Sequence, residues 1–181
     1  MKLSNVRVGL RMGLGFGTLL LMLLMGLYAA NRVSRVQDNV IDLSDNWLPS
    51  TQQIAGINEA LNQMRRAELQ MLLGGGAKAV EDESARLAKQ WQVLPPLLKA
   101  YGETLSSEAE REQFKTFNAI VESYRQSQDK LVAMVKAGQQ EEALAFLRGE
   151  SRKIFRSTAD AIGKLTEINT QGAQTAHADA E

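Results

Sequence analysis

The chain of 181 residues is long enough for one globular domain with an appendage. Its 21 basic and 21 acidic residues balance, so no bulk positive field draws it to nucleic acid, and none is expected as a partner. With no cysteine and a single histidine, His177, it lacks disulfides, thiolate metal sites, a cysteine nucleophile and the parts of a histidine triad or a two-histidine haem site. No nucleophile–base pair, phosphate loop or metal cluster stands out, so the expectation is a non-enzyme without a cofactor. Ala, Leu, Gln, Glu, Lys and Arg dominate and only three prolines occur, which favours helix nearly throughout.

Residues 1–11 carry Lys2, Arg7 and Arg11 and read as a cytoplasmic N-terminus. Residues 12–30, MGLGFGTLLLMLLMGLYAA, are uncharged and span roughly 28 Å as a helix, near the ~30 Å hydrocarbon core. A cleaved signal peptide would have a shorter apolar core and a small residue where Tyr28 stands. An uncleaved transmembrane helix is therefore expected in the bacterial cytoplasmic membrane. Residues 31–181 then form an extracytoplasmic domain, in the periplasm of a Gram-negative cell.

The first helix continues outward through Val33, Val36, Val40, Leu43 and Trp47, with a local kink or a loosened turn expected at Pro49. Ile54, Ile57, Leu61, Met64 and Met71 extend its stripe, and Glu68 occupies the one gap beside the tandem pair Arg65-Arg66. Gly74-Gly75-Gly76 stops it. A second helix carries Val80, Leu87, Trp91, Leu94, Leu98 and Tyr101, and Pro95-Pro96 predicts either a kink or a restart. Gly102 ends it, and Ser107-Glu108-Ala109-Glu110 fits a capping box. The third helix has a near-heptad seam of Phe114, Phe117, Val121, Tyr124, Gln128, Leu131 and Val135, closed by Ala137-Gly138. The fourth starts near Gln139 with Leu144, Leu147, Ser151, Ile154, Thr158, Ala161, Leu165 and Ile168 on one stripe. Short links between four amphipathic helices specify an all-α, antiparallel up-down-up-down four-helix bundle continuing from the N-terminal transmembrane helix.

The first and fourth helices rise about 65 and 63 Å, the middle two about 37 and 45 Å, so two long legs reach the membrane. A last helix that returns to the membrane without re-entering it reads as a truncated chain. The basic N-terminus, the apolar helix, Leu48-Pro49-Ser50 below Arg65-Arg66, and the link from Ala137 to Leu144 together resemble the four-helix-bundle sensor of methyl-accepting chemotaxis proteins. The resemblance implies a homodimer, a second transmembrane helix after Glu181, a HAMP linker and a cytoplasmic hairpin that engages signalling proteins. The same module also caps sensor histidine kinases and diguanylate cyclases, and a ligandless bundle that docks a periplasmic binding protein is the other alternative.

In that family, small ligands such as organic acids, aromatic acids or amino acids bind in the membrane-distal region, between arginines of the first helix and polar groups of the fourth. Arg65, near 53 Å in height, is the best positional candidate, since a guanidinium fork grips a carboxylate with two bonds. Arg66 is second, though adjacent side chains diverge by about 100°. Arg148 and Arg152 lie at comparable levels, near 50 and 44 Å. Glu68 reads as an ion-pair partner on the stripe, and the hydroxyl of Ser151 interrupts the fourth helix's seam. The candidate ligand-binding set is thus Arg65, Arg66, Glu68, Arg148, Ser151 and Arg152. A small helix displacement would carry the signal inward.

Overall fold

The computed structural model describes residues 8–42 and 47–178. Leu43 lies outside them, and so does the expected continuity of the first long helix through it; Lys2 and Arg7 are outside as well. Among the described residues every regular element is helical.

Helix α1, Val8–Asp42, contains the apolar run Met12–Ser34, whose mean hydropathy is 1.8. Phe16, Met22, Met25 and their neighbours are exposed all round the helix. A helical run apolar on every face, long enough to cross a bilayer and not buried against the rest of the chain, is a candidate membrane span.

Helix α2, Leu48–Leu73, starts at the proline that was expected to kink or loosen it. Pro49 sits in the first turn of this element, where a missing amide has no intrahelical partner to lose, and Trp47 just before it is in a π-helical, loosened turn. Ile54, Ile57, Leu61, Met64, Glu68 and Met71 are buried as the spacing predicts. The Gly74 amide bonds to the Gln70 carbonyl at 2.7 Å, and Gly75 and Gly76 then reverse the chain at φ of 61° and 83°, where a side chain would strain the backbone.

Helix α3, Gly76–Glu103, runs through Pro95 and Pro96 as one element, so it does not restart there. Both prolines face solvent, where water satisfies the carbonyls one turn back, while Leu94 beside them is buried. Helix α4, Glu108–Lys136, buries Phe117, Tyr124 and Leu131 at intervals of seven, with Val121, Gln128 and Val135 between. Gly138, at φ 76°, turns the chain into α5, Gln140–Phe146. A single π-helical turn, Leu147–Ser151, joins α5 to α6, Arg152–Ala178. The expected fourth helix is therefore continuous but carries one extra residue in a turn.

Each fully buried Ile, Leu or Met contributes about 1.5–3 kcal/mol by leaving water. Helix α2 packs most closely on α3 and α4 on α6; α2 also meets α6, whereas α3 and α4 touch sparsely. At the lower end, the Trp47 ring lies where a Cβ on Gly172 would stand. Gly172→Ala should therefore displace that ring and lower the thermal midpoint by several degrees, a loss of about 1–3 kcal/mol from overpacking. A scanning-calorimetry midpoint equal to that of the parent chain would show that the contact is dispensable.

Candidate functional site

A polar node crosses the membrane-distal core and draws on each of α2, α3, α4 and the π turn. Glu68, fully buried on α2, accepts from Arg65 Nη1 at 2.7 Å and from Gln128 Nε2 at 2.8 Å. Arg65 also donates to Ser151 Oγ at 2.8 Å and to the Leu147 carbonyl at 3.1 Å, so its fork reaches the first and last residues of the π turn. A π turn offsets the i→i−4 ladder and leaves a carbonyl to be satisfied from outside; the Arg65 guanidinium does so. Its face is covered by the Phe155 ring at 5.4 Å. On the far side, Trp91 Nε1 donates to Gln128 Oε1 at 2.5 Å.

The phenol of Tyr124 is buried near Glu68, its ring 5.6 Å from Phe155. Burial first, and then the Glu68 charge, push its ionisation far above the ordinary phenol range. The same holds for Tyr101, through burial and then its bond to Glu110. Raised phenol ionisation means that folding holds protons the unfolded chain releases. That stability is fully present below about pH 10 and is lost as pH rises above it. A chemical denaturation series from pH 9 to 12 should show stability falling with a slope approaching two protons, and Tyr124→Phe should remove about one of them. A pH-independent midpoint would contradict the burial of these phenols.

The structure brings together three of the six candidate residues: Arg65, Glu68 and Ser151. Arg66 points to solvent and pairs with Glu59 at 2.8 Å, an exposed pair of about 0–1 kcal/mol. It borders an open groove of about 580 Å³ shared with Arg86 and Lys89. Arg148 and Arg152 are exposed and, among the described residues, make no ion pair or side-chain hydrogen bond. Glu150, between them, instead meets Lys130 at 3.5 Å. Thr158 bonds back to the Phe155 carbonyl at 2.7 Å, the ordinary use of a helical hydroxyl. Sequence reasoning treated Trp91 and Tyr124 as core; Gln128, the polar member of an apolar seam, was the one signal that α4 contributes to the node.

A second buried carboxylate holds the lower end. Glu110 Oε1 accepts from Tyr101 Oη at 2.7 Å and Asn169 Nδ2 at 2.8 Å, and Oε2 accepts from the Ser106 amide at 2.9 Å. The Glu110 amide donates to Ser107 Oγ at 3.1 Å, which is half of the expected capping box. The other half is shifted by one residue, because the carboxylate takes the Ser106 amide and ties α3 and α4 to α6.

An antiparallel four-helix bundle thus follows an apolar helix, its α2 and π turn are joined by the hydrogen bonds of Arg65, and no cluster of metal-ligating side chains occurs among the described residues. A family model described as a four helix bundle sensory module for signal transduction matches residues 5–181, and the chain belongs to this family, whose bundle serves methyl-accepting chemotaxis and other signal transduction proteins. A search of curated proteins found no match to the chain.

Proposed function

We propose that the chain is the sensory part of a transmembrane chemoreceptor. In this reading a small organic molecule, bound in the membrane-distal half, changes the relative height of α2 and α6 and so signals to the chemotaxis machinery. The apolar helix α1 anchors the chain in the bacterial cytoplasmic membrane, residues 1–11 lie in the cytoplasm, and the bundle stands in the periplasm as a homodimer.

The observation that carries the proposal is the Arg65 fork. It holds Glu68 of its own helix and both ends of the π turn that leads into α6. A π turn is a one-residue offset, and resolving it would move α6 by about 1.5 Å along its axis. Whatever changes the hydrogen bonds of Arg65 or Glu68 therefore biases two discrete arrangements of the leg, by no more than its differential affinity for them. Arg65 acts here by coupling: three of its five N–H donors are engaged by Glu68, Ser151 and Leu147, so a ligand carboxylate that meets the guanidinium competes with those bonds.

Thermal-shift screening of the full chain in nanodiscs against organic acids, aromatic acids and amino acids tests the reading. A compound that raises the midpoint saturably is the expected result. If none did, and a purified periplasmic binding protein raised it instead, direct sensing would be wrong.

A further inference from the structure

Between α3 and α4 the bundle is open. A cavity of about 810 Å³ lies at the membrane-distal end, floored by Met71, Val80 and Val135. A second, of about 450 Å³, continues beneath it over Leu87, Trp91 and Val132, and the two share Ser84 and Lys136 on their walls. Together they form a groove of the size and apolar character of small-molecule sites. Ser84 Oγ is buried in its wall without a hydrogen-bond partner among the described residues.

The charges along the groove are arranged unusually. Arg125 and Asp129 stand one turn apart on the same face of α4, yet they form no ion pair; Arg125 instead lies over the Trp91 ring at 5.3 Å. Lys136 and Glu81, farther up, are also without an ion-pair partner among the described residues. Two charges of each sign around an apolar floor do not select a simple anion. They match a molecule that carries both charges at one end and an apolar body at the other.

We propose that the α3–α4 groove binds an α-amino acid with an apolar side chain. Its carboxylate meets Arg125, its ammonium meets Asp129, and its side chain lies along Leu87, Trp91 and Val132. This deepens the sensor reading and rests on it, but places the ligand between α3 and α4. The route from the groove to the signalling leg is short. Trp91 bonds Gln128, Gln128 bonds Glu68, and Glu68 bonds Arg65, whose fork holds the π turn. An occupant that shifts the Trp91 indole changes how Gln128 competes for Glu68.

Trp91 itself is the reporter, because only two tryptophans occur and Trp47→Phe leaves it alone. The full chain carrying Trp47→Phe, in nanodiscs, is titrated with L-leucine and L-phenylalanine, then with isocaproate and hydrocinnamate, which lack the amine, and with isoamylamine and phenethylamine, which lack the acid. The expected result is a saturable change in Trp91 emission with the amino acids, about tenfold or more weaker with either analogue set. Asp129→Asn should weaken the amino acids by a similar factor while leaving the amine-free acids unchanged, and Ala88→Phe, at the exposed rim, should abolish all binding with the melting midpoint intact. Amino acids that leave the emission unchanged, or amine-free acids that bind equally well, overturn the proposal. A compound that raises the melting midpoint without touching Trp91 overturns it too but keeps the sensor reading, which falls only if no compound raises the midpoint.

Discussion

Arg65→Ala should destabilise the bundle by about 3–5 kcal/mol, the cost of leaving a buried carboxylate without its cation. Glu68 is fully buried, and Arg65 is the cation that pairs with it; Gln128 alone would remain to solvate it. The same substitution also strands the Leu147 carbonyl and Ser151 hydroxyl of the π turn. Arg65→Met combined with Glu68→Leu should recover most of the loss, because apolar isosteres commonly replace a buried pair at little net cost. Urea denaturation of the two variants separates the accounts: if the single variant loses less than about 1 kcal/mol, Glu68 is not held as a buried charge by Arg65.

Glu110→Ala carries the second large effect, a loss of about 3 kcal/mol or more. Four donors converge on that carboxylate, from Tyr101, Asn169 and the amide and hydroxyl of Ser106, and a buried donor left unpaired, as the Tyr101 hydroxyl would be, costs about 1–3 kcal/mol on top of the cavity. Glu110 is nearly fully buried, so water does not replace it without opening the core. Glu110→Gln keeps the shape but turns one acceptor into a donor facing donors, so it should recover only part of the loss. Equal stability of all three proteins in urea would mean that the lower network is ornamental.

The architecture was legible because periodicity reports burial directly. The stripe of α2, the seven-residue seam of α4 and the glycine turns at Gly75, Gly76 and Gly138 all appear where spacing places them. Glu68 was legible as an ion-pair partner, since a carboxylate on an apolar stripe must find a cation, and Arg65 stands three residues away. The π turn was not legible. Its one local sign is Gly149, which weakens a helix but does not say where an extra residue is stored. Arg148 and Arg152 are exposed because each follows a buried stripe residue, Leu147 and Ser151, by one position and so turns about 100° from the buried face. Levels along a leg predict height and say nothing of the rotational face, which the spacing of the apolar stripe gives instead. Trp91 and Tyr124 passed as core because aromatic side chains bury well whether or not their polar atoms have work to do.

Everything proposed about signalling depends on the node setting α6 against α2, and the absence of cysteine makes that directly measurable. Thr51 of α2 and Thr166 and Thr170 of α6 border one cleft below the node. Cysteines at Thr51 and, in turn, at Thr166 or Thr170 report the register of the two legs through their rates of disulfide formation in the full chain. The account predicts that Arg65→Met with Glu68→Leu, in a folded bundle, changes the ratio of the two rates, because the π turn loses the guanidinium that holds it. A folded variant with the parent's ratio would contradict it.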